Sequence, residues 1–178
     1  LGFGTIANCD VTGIVALYNT TEQLYIKDIT YTLSVSAAEY ATLFLDFNAA
    51  IPADVKAYTV TAVNDGYVTL TQVTGVLPAN TAVIVKAAPG NYTFTYTTET
   101  ATVENNDLLG TLYNKNMTED AYVLGVVDGN VGLYTAAPNV STDTSNDGTE
   151  EEPAVTFEAW KNNAFKAYLP KTAGMNAA

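Results

Sequence analysis

Apolar and polar residues alternate with a period of two along most of this chain, the spacing that sends successive side chains to opposite faces of a strand. Residues 29–36 (ITYTLSVS) set threonines and serines against apolar residues, and residues 92–97 (YTFTYT) put three aromatics on one face and three threonines on the other. The same pattern predicts strands over residues 12–18, 41–47, 55–63, 67–73, 81–87, 108–112, 121–127, 131–135, 155–160 and 164–169. Helical periodicity is nearly absent. Asn64-Asp65-Gly66 separates strands 55–63 and 67–73, and Asp128-Gly129 separates 121–127 and 131–135. Positive φ at tight hairpin turns favours these residue types, so both pairs read as hairpins. Short strands at intervals of about 8–12 residues, with no helices to serve as parallel crossovers, predict an all-β antiparallel β-sandwich. About twelve strands suffice for one large sandwich or two small ones. The polar stretch 98–107 is the best internal boundary, dividing a β-rich half 1–97 from a β-rich half 108–178, and a single compact domain fits equally well.

Composition narrows the function classes. The 178 residues are 48% hydrophobic and 15% charged, which is globular, and apolar runs such as 41–45 are far too short to span a bilayer. Nineteen acids against seven lysines give a net charge of −12, a field that repels phosphate backbones and anionic lipid. Neither nucleic acid nor membrane insertion is expected. Histidine and arginine are both missing, which removes the commonest general base, the commonest transition-metal ligand and the bidentate phosphate clamp. Cys9 has no second cysteine to bridge and only Asp10 beside it, so it reads as an inert thiol. No serine sits in a Gly-x-Ser-x-Gly elbow, and Gly2-x-Gly4 is too short for a dinucleotide fingerprint. The expectation is a protein that is not an enzyme and uses no cofactor. The catalytic alternative is a glycoside hydrolase, for which Glu119-Asp120, or Asp46 with Asp54, would supply the carboxylate pair.

Residues 139–153 (NVSTDTSNDGTEEEP) lack large apolar side chains and read as a solvated acidic loop. Within it Asp143, Ser145 and Asp147, followed by Gly148, resemble the first half of a calcium loop, but Ala154 stands where the bidentate carboxylate belongs, so no tight calcium site is expected. Aromatic residues are the remaining source of specific binding: twelve tyrosines, six phenylalanines and one tryptophan. Tyr92 and Tyr96 flank Phe94 on one strand face, a row the alternation assigns to core before ligand platform. Trp160, followed by Lys161-Asn162-Asn163, is predicted at a hairpin tip and is the best exposed-aromatic candidate. With Tyr92 and Tyr96 it makes a carbohydrate-binding module the alternative to a scaffold. Asn-x-Thr/Ser sequons at Asn19, Asn91, Asn116 and Asn139 are no more than a threonine-rich chain is expected to contain.

Six segments carry a family resemblance: AEYATLFLDF (38–47), IPADVKAYTV (51–60), GYVTLTQVTGVLPANTAVIVKA (66–87), GNYTFT (90–95), AYVLGVVDGNVGLYTA (121–136) and NAFKAYLP (163–170). In order and spacing, over about three-quarters of the chain, they resemble a β-sandwich module of large secreted and surface proteins of Bacteroidetes. The resemblance implies an extracellular or cell-surface, non-catalytic module of adhesin-like proteins, and it carries no catalytic residues onto this chain. Residues 1–32 do not match closely. The family continues past the equivalent of Pro170 into a further apolar strand, so a missing closing strand and an open sheet edge are expected here. Subunits of surface filaments fill such an edge with a neighbour's strand, and the expected partner is a second copy or an adjoining domain. The chain starts at Leu1 without a basic segment followed by an apolar one, so a removed leader or a longer parent chain is expected.

Overall fold

A computed structural model describes residues 10–18, 21–64, 66–142 and 155–171. Every element among them is a strand, and all pairings are antiparallel. The predicted all-β antiparallel sandwich is therefore the observed class.

Three sheets carry the architecture. The first has the order β1 (Asp10–Tyr18), β2 (Thr21–Val35), β9 (Gly90–Tyr96), β4 (Ala49–Ala50), β7 (Val76–Leu77). The second runs β3 (Tyr40–Leu45), β8 (Thr81–Lys86), β5 (Lys56–Asn64), β6 (Tyr67–Val73). The third runs β10 (Leu109–Thr111), β17 (Lys166–Pro170), β12 (Ala121–Val127), β13 (Asn130–Ala136). Two short ladders complete the set: β11 (Lys115–Met117) with β16 (Trp160–Asn162), and β14 (Asn139–Thr142) with β15 (Val155–Glu158).

The second sheet is the middle layer, and β8 shows why. Its residues Ala82, Val83, Ile84 and Val85 are all buried, a continuous apolar run in place of alternation, as a strand covered on both faces requires. Val83 and Val85, with Leu43, Leu45 and Ala57, face a core completed by Leu33, Val35, Leu77 and Phe94 of the first sheet. Ala82, Ile84 and Val60 face a second core completed by Leu108, Tyr122, Ala167 and Leu169. Two cores share one sheet.

Residues 98–107 are not a slack tether. The Asn106 amide donates to the Ala82 carbonyl (2.8 Å) while its oxygen accepts from the Val60 backbone (3.3 Å), and the Asp107 N–H donates to the Val60 carbonyl (2.8 Å). Strand β5 pairs with β8 only over Lys56–Tyr58, and past that point Asn106 supplies hydrogen bonds the ladder no longer makes. The outer edge of β3 is closed by the third layer. The Phe44 N–H donates to the Phe165 carbonyl (3.0 Å), the Phe165 N–H to the Thr111 carbonyl (2.7 Å), and the Phe165 ring lies in the first core, 4.9 Å from the Tyr31 ring.

Both predicted hairpins are present, with Asn64 opposite Tyr67 and Val127 opposite Asn130. Asp128 (φ 51°) and Gly129 (φ 80°) both occupy the left-handed region, the signature of a type I′ turn. A Cβ at Gly129 would meet nothing within 4 Å, so the cost of a side chain there is purely conformational. Gly129→Ala is expected to lower stability by about 1 kcal/mol, read as a shift in urea midpoint with unchanged slope. The hairpin tip predicted at Trp160 is absent. Residues 160–162 instead form β16, and the chain turns at Asn163–Lys166, where the Lys166 N–H donates to the Asn163 carbonyl (3.3 Å). Pairing with distant β11 wins over a local turn because Asn162 is buried and its amide is held by Thr111 Oγ1 (2.8 Å) and the Lys166 carbonyl (3.1 Å).

Candidate functional site

A concavity opens beside the third layer. It is a groove of about 590 Å³ between the end of β2, the outward face of β3, β12 and the β16–β17 turn. Alternation explains the β3 wall. Ala41, Leu43 and Leu45 go to the first core, which turns Tyr40 and Thr42 the other way, and these two line the groove. Ser34 and Ser36 reach it because Leu33 and Val35, with which they alternate, are committed to the core.

Trp160 forms part of the opposite wall and is half-buried. Its indole N–H donates to the Glu119 carbonyl (2.8 Å), and its ring meets Tyr168 edge-on at 5.9 Å between centroids. Those contacts fix the indole from one side. Burial raises the Tyr168 hydroxyl above the usual tyrosine range, with the Glu119 carboxylate adding to the rise.

Lys161 and Lys166 supply the charge. Among the described residues no Asp or Glu lines this groove and neither ammonium makes an ion pair, whereas Lys171 pairs with Asp120 at 3.6 Å. Burial holds Lys166 below the ordinary lysine range. A folded value below the unfolded one means that charged Lys166 weakens folding at neutral pH, a cost relieved as pH rises toward 10.5. On the Tyr40 side, the Lys86 ammonium lies 5.1 Å from the ring centroid and is held above its ordinary value mainly by a hydrogen bond with the Tyr40 hydroxyl.

The other sequence candidates lie elsewhere. Tyr92 sits on β9, partly buried against the first core, and its hydroxyl donates to the Ala88 carbonyl (2.8 Å). Tyr96, on the same strand, is 45% exposed and has Phe47 as ring neighbour at 6.4 Å. Neither joins Trp160, whose ring partner is Tyr168. Between them Phe94 is fully buried, the core role the alternation assigns to this face. Glu119, Asp120, Asp46 and Asp54 are all exposed, Asp120 in the ion pair with Lys171. Asn91 and Asn116 are also exposed, Asn91 accepting from Ser34 Oγ at 2.7 Å. Cys9, Asn19, Asp143, Ser145 and Asp147 lie outside the described residues, as does the side chain of Asn139. Among the described residues no group of three or more Cys, Asp or Glu is placed to hold a metal ion.

A second groove, of about 500 Å³, lies between residues 101–105 and the threonines of β5 and β6. Thr61 and Thr71 share a hydrogen bond (3.2 Å), and Thr59 donates to the Thr71 carbonyl (3.4 Å), so these hydroxyls have partners within the sheet. The first groove is the better site, and two of its residues were hidden in the sequence. Lys166 stands inside the predicted strand 164–169 as an isolated charge between apolar neighbours, the one local signal that marks it. Tyr40 carries none. Compared with protein-family models, curated proteins and solved structures, the chain matches none.

Proposed function

We propose that this chain is a non-catalytic structural or adhesive module of the cell surface or extracellular space, joining a second copy or a neighbouring domain by strand addition. The observation that carries this reading is the edge strand β6. Among the described residues nothing pairs with its outer side, and YVTLTQV contains no charge and no proline. Tyr67 is 80% exposed and Leu70 40% exposed along it. Lysines, prolines and covering loops are the usual guards of such an edge, so an unguarded one is a template for another strand. The third sheet supports the same reading, because its edge strand β13 is equally uncharged and the β12–β13 hairpin exposes Val126, Val127 and Val131. Net charge of −12 opposes self-association at long range, but screening over about 8 Å at physiological salt leaves contact burial to decide. The secreted Bacteroidetes module that the sequence resembles is in keeping with such a role.

Sedimentation velocity across a concentration series tests it. Reversible self-association is expected, with an affinity at least tenfold weaker in Leu70→Lys/Gln72→Lys, two exposed positions on β6 where ammonium groups would oppose an incoming strand. A monomer at every concentration, or association indifferent to both lysines and to matching substitutions on β13, would overturn the reading.

A further inference from the structure

We propose that the groove walled by Trp160 and Tyr40 binds an anionic saccharide, with Lys161 and Lys166 receiving its carboxylate or sulfate group. Three observations converge on it. The first is electrostatic. In a chain with nineteen acids and seven lysines, the described residues that line this concavity include two lysines and no acid. Lys166 is partly desolvated there with no carboxylate partner among the described residues, an arrangement that weakens the fold. An anion bound in the groove would be the missing counter-charge, and it would be attracted more strongly than at an open surface because part of the water is already gone.

The second is the chemistry of the rest of the lining. Ser34, Ser36, Thr42 and Asn163 present hydroxyl and amide groups around an indole, the pairing of hydrogen-bonding rim and aromatic face that suits a pyranose ring. Neither a flat apolar partner nor a bare inorganic anion would use both. The third is size and rigidity. A volume of about 590 Å³ falls in the range of small-ligand sites, and the indole is pre-set by its bond to the Glu119 carbonyl and its edge contact with Tyr168. This inference does not depend on strand addition, and either can fail alone.

Trp160 is the chain's single tryptophan, so its emission reports on the groove directly. Titration with an oligogalacturonate, a chondroitin sulfate oligosaccharide and a neutral cello-oligosaccharide of similar length is the experiment. The expected result is a saturable emission change with one or both acidic sugars, weakened by added salt, and none with the neutral one. A response to oligogalacturonate alone assigns the ligand as a carboxylate, and a response to the sulfated sugar alone assigns a sulfate. Lys161→Gln, at an exposed position, should weaken binding at least tenfold. Lys166→Met should do the same while raising the melting temperature at neutral pH, a combination that a purely structural lysine would not produce. Equal binding of the neutral sugar, no saturable change with either acidic sugar, or undiminished affinity in Lys161→Gln would each overturn the proposal.

Discussion

Gly110→Ala is expected to destabilise the fold by about 3 kcal/mol, the upper end of the usual overpacking cost. A Cβ at this position would collide with Cγ, Cδ2 and Cβ of Phe44, the root of that side chain and not its mobile end. Phe44 cannot yield easily, because its N–H is bonded to the Phe165 carbonyl and its ring packs against the second core. Gly110 is what lets β10 lie directly over β3, so the third sheet would have to lift away. The same substitution in a Phe44→Gly background, which removes Cβ together with the ring, should cost much less. A double-mutant cycle by urea denaturation, with a coupling energy above about 1 kcal/mol, is the expected outcome. Additive effects would mean that the two layers do not meet at this contact.

Phe94→Ala should cost more, about 4 kcal/mol, and leave a variant close to its unfolding threshold. Phe94 is fully buried at the centre of the first core, opposite Tyr31 in the β2–β9 register and among Leu33, Leu43, Val83 and Val85. Removing the ring leaves a cavity between two rigid sheets whose backbones are held by their own ladders and cannot collapse to fill it. Phe94→Leu keeps most of the volume and should retain more than half of the lost stability. Tyr96→Ala, one turn of the alternation away on the same face, should change stability by less than about 1 kcal/mol because its side chain is already half in water. If Tyr96→Ala proves as damaging as Phe94→Ala, the core has been drawn in the wrong place.

The strands and the two tight hairpins are local matters, and the sequence determines them. Residues 67–73 and 121–127 are predicted and observed with the same bounds, because β-branched runs and the Asp-Gly turns that bound them act over a few residues. Residues 81–87 are predicted as a strand by the same pattern as the others, and that both faces of 82–85 are buried emerges only from the two layers that cover them. The two-residue strands β4 and β7 are too short for any pattern to register. Only tertiary structure decided that β2 pairs with β9 across more than fifty residues, that three layers form instead of two, and that Trp160 joins β11 and not a local hairpin. It alone brings Tyr40, Trp160, Lys161 and Lys166 to one groove, and makes Lys166 a desolvated charge. The physical reason is one of range: alternation states which side of a strand seeks burial, but the partner that provides it is chosen by the summed area and hydrogen bonding of segments far apart in sequence.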